Sequence, residues 1–523
     1  MRIRTIITAI VTPLLVLGLV LWVSPDAKAQ QRGGKLIYMV PSSGVPSLDA
    51  HKETTFATVQ PTAPFYSLLI RLDPDDENGV KIGPDLATSW DASNGNKKYT
   101  FHMRTGVKFH DGSPLTSKDV KASFEKIIFP PAGVLSPRKA FFLMVENIET
   151  PDDKTVVFNL KFPTAAFLPA MAMPYNYIYP ASKLAEDIHW FEQNVLGSGP
   201  FEFVDFVPGT HIVGKRNPNF YMEGRPYLDG FEAVFASKQN VYVQAIRGNR
   251  AHSMFRGLPP AAVDDLRKAM GDKFRLQEDT WNCALYVVPN SHKKPFDDAR
   301  VRRALNLAID RWGGSKYLAR IAIVKTVGGV VFPGATDVAP TQAQLESLEG
   351  YGRDVEANRA KARQLLKEAG VPDGFKFVLH NRATDQPYKV VGTWLIDQWR
   401  QIGLEVEQWV QPTAAFYNTL RSNPPGFEVS MDFNCQSIVN PTLDVSKFLS
   451  YDVGPANNGK YIDRELDRMY EAQLREPDAK KQQAILWEFQ KRVNNEKGWY
   501  FTTLWWQRAI VSNTDMRAWN VTP

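Results

Sequence analysis

Histidine and cysteine are scarce in this 523-residue chain, which holds eight of the first and two of the second. No two histidines stand three or four residues apart, and no HExxH or paired CxxC motif occurs. A Walker loop and a dinucleotide-binding fingerprint are also absent from the sequence. We therefore predict no metal site and no bound cofactor.

The chain also lacks a large excess of basic or acidic residues. Lysine and arginine number 62 against 56 aspartates and glutamates, a net charge of +6, and no long basic run occurs. Nucleic acid is therefore not an expected partner. Hydrophobic residues make up 44% of the chain and aromatic residues 12%, which indicates a folded protein of about three domains at roughly 150 residues each.

A long apolar run occurs only near the N-terminus. The run from Ile6 to Val23 follows Arg2 and Arg4 and precedes the small-x-small triplet Ala27-Lys28-Ala29. This layout is typical of a cleavable signal peptide, so we expect residues 1–29 to be removed on export, with a bacterial periplasm the best fit. A transmembrane anchor is the alternative. No lipid anchor is expected, because no cysteine stands at the cleavage point.

Catalytic motifs are equally sparse. Gly197 to Gly199 lacks the G-x-S-x-G spacing of a nucleophile elbow, and the acidic run Asp73 to Gly79 lacks the spacing of a calcium loop. The carboxylate pairs Asp264-Asp265 and Asp297-Asp298 stand at predicted helix starts, where acidic residues favour the helix dipole. No catalytic residue is predicted, and an exported hydrolase with an unseen carboxylate pair stays a rival hypothesis.

Local patterns indicate an α/β protein. Residues Lys35 to Val40, Tyr99 to Arg104 and Thr155 to Leu160 are typical of strands. The region after Lys294 is rich in helical patterns, and Asn358 to Ala369 places apolar residues on one helix face before a glycine. The chain contains 13 Trp, 18 Tyr and 30 Phe. We expect most of these aromatic side chains to pack in hydrophobic cores and a minority to line a ligand-binding cleft.

Six segments, in order along the chain, resemble the family 5 extracellular solute-binding proteins of ABC importers. The segments are Pro84 to Trp90, Tyr99 to Val120, Gly197 to Phe201, Arg216 to Tyr221, Arg225 to Gly230, and Pro295 to Asn306. The resemblance extends over nearly the whole chain after residue 30. It implies a protein that carries oligopeptides, dipeptides, nickel complexes or related cargo and does not catalyse a reaction.

The resemblance also implies an architecture. The family fold is a type II (cluster C) periplasmic-binding-protein clamp of two α/β lobes with an extra small β-rich domain. We expect lobe 1 at 30–51, 197–279 and 489–523, the small domain at 52–196, and lobe 2 at 280–488. A ligand would lie between the lobes and be enclosed when they close.

Two segments are similar to the strand edges that pair with a bound peptide in the relatives, Val40 to Gly44 and Phe433 to Ser437. The residues that the resemblance places at the ligand are Val40, Gly44, Trp281, Asn282, Phe433, Asn434, Gln436, Ser437 and Trp505. We expect the cargo to be a peptide or a peptide-sized polar solute.

One position departs from the pattern of the oligopeptide-binding relatives. There an aspartate pairs with the terminal ammonium of the peptide, and Ser437 stands in its place here. A buried ammonium without a counter-charge is costly, so free peptide N-termini are disfavoured unless Asp432 or Asp444 takes over. If this segment is a strand, Asp432 points to the face opposite Phe433.

The resemblance also implies which proteins and ligands this chain binds. We expect the permease and ATPase subunits of an ABC importer, and a monomeric binding protein. A nickel chelate, a sugar or an opine are alternative cargoes for the same fold, since stacked aromatic rings suit flat or ring-shaped molecules. A sensor or chaperone-like binder of extended polypeptide, without a dedicated permease, is a further alternative.

The two cysteines stand where the same relatives carry a disulfide, so a bridge between Cys283 and Cys435 is implied. It would close a loop of about 150 residues and stabilise the fold by about 5 kcal/mol in the chain-entropy model. Two buried free thiols are the alternative. We predict that thiol titration of the denatured, unreduced protein finds no free thiol; a count of two would contradict the bridge.

Overall fold

A computed structural model describes residues 31–76 and 80–516. The predicted signal peptide at 1–29 lies outside the described residues. So do residues 77–79 of the acidic run and residues 517–523 of the segment expected at 489–523. Within the described ranges, no helix has the length and apolar character needed to cross a membrane.

The chain forms seventeen strands and fifteen α-helices within the described residues. The strands are β1 Lys35–Val40, β2 Ile70–Leu72, β3 Ile82–Pro84, β4 Ala87–Ser93, β5 Lys98–Met103, β6 Val145–Asp152, β7 Thr155–Leu160, β8 Phe201–Val207, β9 His211–Arg216, β10 Gly230–Phe235, β11 Ser253–Met254, β12 Phe274–Pro289, β13 Val324–Thr326, β14 Lys376–Arg382, β15 Glu405–Gln411, β16 Val429–Cys435 and β17 Phe501–Asn513. The helices are α1 Phe56–Thr62, α2 Ser117–Ile128, α3 Phe167–Met171, α4 Ala181–Glu186, α5 Gln239–Arg247, α6 Pro260–Met270, α7 Ala299–Leu307, α8 Arg311–Ile321, α9 Gln342–Ser347, α10 Val355–Glu368, α11 Val390–Arg400, α12 Thr413–Arg421, α13 Pro441–Val445, α14 Arg464–Arg475 and α15 Ala479–Lys491.

Most strands join one sheet of eleven strands. Its order is β15-β14-β16-β12-β17-β11-β1-β10-β9-β8, and β13 also pairs with β17. A separate four-stranded sheet has the order β4-β5-β7-β6, and β2 pairs with β3. We use lobe 1 for the part with β1 and β8 to β11, lobe 2 for the part with β13 to β16, and small domain for the part with β2 to β7.

Two long antiparallel strands connect the lobes. Residues Gln507 to Asn513 of β17 pair with Phe274 to Thr280 of β12 and touch β11 in lobe 1. The other half of β17 pairs with β12 beyond a register shift after Thr280, and with β13 in lobe 2. The domain boundaries remain our proposal. Because Gln507 to Asn513 pair within lobe 1, we propose that the last segment of lobe 1 begins at residue 507 and not at residue 489.

A disulfide lies beside this register shift. Cys283 and Cys435 stand directly opposite each other in the pairing of β12 with β16, and their sulfurs are joined across 152 positions of sequence. The bridge therefore fixes the second half of β12 to the centre of lobe 2. That half is a continuous apolar run because it is a central strand, covered on both faces.

A buried ion pair fixes the small domain to the segment that follows β1. Lys126 of α2 donates to Asp49 Oδ2 at 2.7 Å, and both side chains are almost fully buried. The hydroxyl of Tyr179 and the amide of His51 donate to the other carboxylate oxygen. Burial opposes the ionisation of Asp49, but the charge of Lys126 and the hydrogen bonds from Lys126 and the His51 amide hold the pKa of the carboxyl below its usual value.

We predict that Lys126→Met lowers the free energy of unfolding by about 3–5 kcal/mol, because it leaves Asp49 buried without its counter-charge. Urea unfolding measures the change. Lys118→Met is the matched control on the same helix, since Lys118 is 73% exposed and reaches Asp153 only at 3.4 Å. A loss for Lys126→Met no larger than for the control would contradict the role given to this pair.

Candidate functional site

The loop after β1 contacts lobe 2 directly. Ser42 Oγ lies 3.0 Å from Thr413 Oγ1 at the start of α12, and Ser43 Oγ donates to the same oxygen at 3.1 Å. Arg382, the last residue of β14, donates from Nη2 to Ser42 Oγ at 3.1 Å. These contacts bring the two lobes together, and we call the region where they meet the interlobe cleft.

Aromatic rings line this cleft, and we call five of them the aromatic wall. They are Trp281, Tyr388, Tyr417, Phe433 and Trp506. Neighbouring rings meet edge to face, with centroid distances from 5.3 Å for Trp281 and Trp506 to 6.3 Å for Tyr388 and Phe433. Such T-shaped pairs hold each other's orientation, and all five rings are buried.

Arg382 is fully buried against this wall. Its guanidinium carbon lies 5.4 Å from the ring centroid of Tyr388 and 5.4 Å from that of Tyr417. Its Nε donates to Thr413 Oγ1 at 3.2 Å, so hydroxyl groups and ring faces surround the charge.

Arg256 approaches the same ring from lobe 1. Its guanidinium carbon lies 5.6 Å from the ring centroid of Tyr388 and 5.7 Å from that of Trp506. Nη1 donates to the carbonyl oxygens of Pro41 at 3.1 Å and Gln386 at 3.2 Å. Burial lowers the pKa of Arg256 to about 10, and the positive charge of Arg382 acts in the same direction.

These two cations lack a counter-charge. Among residues 31–76 and 80–516, neither Arg256 nor Arg382 forms an ion pair with a carboxylate. Buried guanidinium groups are usually paired with an anion. The arrangement is therefore suited to bind an anion that bridges the two lobes, with a carboxylate the best geometric match for the guanidinium fork.

A cavity of about 40 Å³ lies between the small domain and lobe 2, with Phe433 in its lining. Its lining includes Arg138, Tyr175, Phe433, Asn434, Gln436 and Lys447. The cavity is thus bounded by one end of β16 and by the chain segment that follows it.

Several residues named from the resemblance meet at the cleft or its cavity. Trp281 is part of the aromatic wall, and Phe433, Asn434 and Gln436 line the cavity. Val40 ends β1 and is buried. Gly44 ends the loop with a φ of 127°, and a Cβ there would stand 3.2 Å from the amide nitrogen of Gly209.

Two of the named residues contact the interior of lobe 2 instead. Trp505 donates from Nε1 to the carbonyl oxygen of Gly329 at 3.1 Å and packs against Phe332. Adjacent residues of a strand point to opposite faces, so Trp506 takes the position in the wall. Asn282 donates from Nδ2 to the carbonyl oxygen of Ile438 at 3.3 Å and holds the segment after β16.

The three candidates for an ammonium site do not offer a free carboxylate. Ser437 Oγ is buried and has no hydrogen-bond partner within the described residues. Asp432 accepts from Lys447 at 2.9 Å and from Asn458 at 3.0 Å, so its charge is already compensated. Asp444 accepts from the amide of Phe332 at 3.1 Å, and burial raises the pKa of its carboxyl to about 8.

The sequence analysis missed Arg256, Arg382, Tyr388, Tyr417 and Trp506. The strand pattern contained a signal for one of them, because only one of two adjacent tryptophans on β17 can face the cleft. The two arginines gave no local signal, since β14 and the loop at 256 are far apart in sequence.

We predict that Asp444→Asn removes a pH dependence of stability. The folded pKa of about 8 lies above the unfolded value, so the protonated carboxyl contributes stability at low pH that is lost as pH rises towards 8, by at most about 1.4 kcal/mol per unit. Urea unfolding at pH 5 and pH 8 measures this difference. Relative to the wild type, the variant should have a higher free energy of unfolding at pH 8 than at pH 5. Asp373→Asn, at an exposed position, is the control; an equal difference at both pH values would contradict the prediction.

Comparison with known proteins gives a family and a fold. The family model described as bacterial extracellular solute-binding proteins, family 5 Middle, matches residues 81–459. Di/tripeptide-binding protein 1 of Pseudomonas aeruginosa is 28% identical over 367 residues, 64% of this chain and 65% of that protein. Heme-binding protein A of Haemophilus influenzae is 29% identical over 363 residues, 64% of this chain and 63% of that protein. The chain therefore spans less than two thirds of these curated relatives.

Solved structures match over more of the chain. The periplasmic binding protein DppA of Helicobacter pylori, in complex with the peptide STSA, has a TM-score of 0.79 at 23% identity, covering 92% of this chain and 94% of that one. AgaA of A. tumefaciens R10, in complex with agropinic acid, has a TM-score of 0.76 at 24% identity with the same coverage. The fold is thus the α/β periplasmic-binding-protein fold, and the chain belongs to the family 5 bacterial extracellular solute-binding proteins.

Proposed function

We propose that this protein is the solute-binding component of an ABC importer and that it captures a peptide-sized solute through a carboxylate. The observation that carries the proposal is the pair of buried guanidinium groups, Arg256 from lobe 1 and Arg382 from lobe 2, on one tyrosine ring without an ion pair among the described residues. The family assignment supports the binding role, and the relatives compared above are named as di/tripeptide-binding and heme-binding proteins.

The arginine pair couples capture to closure. Each guanidinium retains donors beyond those used by the protein, and a carboxylate with two oxygens accepts from both. Because the two arginines come from different lobes, the ligand has its full set of hydrogen bonds only when the lobes are together. Differential binding to the closed state is what shifts a two-state clamp towards closure.

The other end of the cargo differs from that of an ordinary peptide. Ser437, Asp432 and Asp444 offer no ionised, unpaired carboxylate for a terminal ammonium. We therefore infer a cargo with a blocked or absent amino terminus, such as an acylated peptide or an opine-like conjugate. AgaA, which has the same fold, was solved with agropinic acid.

The remaining parts of the proposal follow from the family. We propose a periplasmic location after removal of residues 1–29, a monomeric state, and delivery of the cargo to a membrane permease driven by an ATPase. A nickel chelate or a sugar is the alternative cargo, and a screen separates these classes.

A thermal-shift screen of the purified protein tests the cargo class, since a ligand of the native state raises the melting temperature. The compounds are free peptides, N-acetylated peptides, amino-acid derivatives, oligosaccharides and metal chelates. We expect shifts with N-blocked carboxylates that exceed those with free peptides. Shifts limited to neutral sugars would contradict a carboxylate cargo, and a larger shift with free peptides would contradict the inference drawn from Ser437.

We predict that Arg382→Gln weakens binding of the best compound by about 10- to 100-fold, since a charge-assisted hydrogen bond contributes about 1.5–3 kcal/mol. Titration calorimetry measures the affinity. Arg400→Gln, at a 69% exposed position of α11, is the matched control and should bind like the wild type. Equal affinity of the Arg382 variant and the wild type would remove this residue from the binding site.

A further inference from the structure

The cavity beside Phe433 is surrounded by more positive than negative charge. Two cations line it, Arg138 and Lys447. Lys460 lies behind this lining, where the charges of Lys447 and Arg421 act on it. Two carboxylates balance part of this charge. Glu53 accepts from Arg421 at 2.7 Å, and Asp432 accepts from Lys447 at 2.9 Å.

Arg138 forms no ion pair with a carboxylate of residues 31–76 or 80–516, and the nearest charges that act on it are those of Asp49 and Glu53. Its side chain is buried, and its two terminal nitrogens donate only to backbone carbonyl oxygens, those of Ala50, His51 and Glu53. Nε is buried and has no hydrogen-bond partner within residues 31–76 and 80–516. The guanidinium carbon lies 4.3 Å from the ring centroid of Tyr175, which also lines the cavity.

Lys460 is a second cation without an ion pair among the described residues. It is buried with Nζ 4.1 Å from the ring centroid of Tyr451, and it forms no ion pair with the described carboxylates. The charged groups that act on it are Arg421, Asp432 and Lys447. Burial first, and then the charge of Arg421, lower the pKa of Lys460 to about 8.

The rings of Tyr417 and Phe433 stand between this cavity and the first arginine pair. The ring of Tyr417 lies between Arg382, at 5.4 Å, and Arg421, at 4.7 Å. Phe433 contacts Tyr388 and Tyr417 in the aromatic wall and also lines the cavity. The two cationic clusters are therefore neighbours that share the rings of Tyr417 and Phe433.

We infer that this cavity is a second anion subsite and that the cargo carries an acidic group at each end. One carboxylate would bind Arg256 and Arg382, and the other would meet Arg138 and the Lys447 and Lys460 pair. The inference rests on the proposed function. It explains why the region around Phe433 to Ser437 has excess positive charge where an ammonium would need negative charge.

The test compares peptides of two to five alanines with three N-termini: N-succinyl, which adds a carboxylate, N-acetyl, which is neutral, and free amine. Titration calorimetry on the full protein gives the affinities. We expect the N-succinyl peptide of the preferred length to bind at least about tenfold more tightly than its N-acetyl counterpart. Lys460→Gln should reduce this difference to less than about threefold and leave N-acetyl binding unchanged.

Lys268→Gln is the matched control, because it removes the same charge from an exposed position of α6, and it should change neither affinity. The melting temperature of ligand-free Lys460→Gln should not fall, since the substitution relieves repulsion with Arg421 and Lys447. A destabilised variant with weak binding of all peptides would contradict the subsite, because it would assign Lys460 to the fold.

A second measurement does not depend on the variant's stability. At pH 8 Lys460 is partly protonated, and a nearby carboxylate raises its pKa, so N-succinyl binding should take up a fraction of a proton. Calorimetry in buffers of different ionisation enthalpy measures this uptake, which should vanish in Lys460→Gln.

The outcomes separate the two proposals. N-acetyl and N-succinyl peptides of equal affinity would overturn the second subsite and leave carboxylate capture in place. Tighter binding of the free amine would overturn the second subsite too. No binding of any peptide in the series would contradict the proposed function itself.

Discussion

The pairing of β12 with β17 is the constraint on which the rest of the structure depends. These two antiparallel strands run through both lobes, so the lobes share one sheet instead of packing as separate bodies. A register shift after Thr280 interrupts the ladder between the lobes, and irregular pairing bends a strand and increases its local twist. The disulfide from Cys283 to Cys435 begins just beyond this point and fixes the lobe 2 side.

The position of the pairing also decides what faces the cleft. Trp281 on β12 and Trp506 on β17 meet edge to face, and the loop after β1 comes within hydrogen-bond distance of β14 and α12. Arg256 and Arg382 then reach one tyrosine ring from opposite lobes. Electrostatics, more than shape, distinguishes this cleft, because buried cations without counter-charges favour an anionic ligand over a neutral or cationic one.

The segment between β1 and α1 links the three parts of the molecule. Asp49 pairs with Lys126 of the small domain, and Glu53 pairs with Arg421 of lobe 2. The carbonyl oxygens of Ala50, His51 and Glu53 accept from Arg138, which lines the cavity. A short stretch of chain thus positions a ligand-facing cation while it holds the small domain in place.

The sequence by itself determined the local elements and the family. A short apolar run before a turn predicted β1, and alternation predicted β7, both at the observed bounds. Helical spacing predicted α10, which begins earlier than expected because Asp354 caps it by accepting from the amide of Ala357. Tertiary structure decided the charge of the cleft. Whether Asp432 is free, whether Trp505 or Trp506 faces the ligand, and whether Arg382 finds a partner depend on pairings between residues far apart in the chain. Local patterns encode backbone geometry and burial, whereas the charge balance of a site is a sum over groups that only the folded chain brings together.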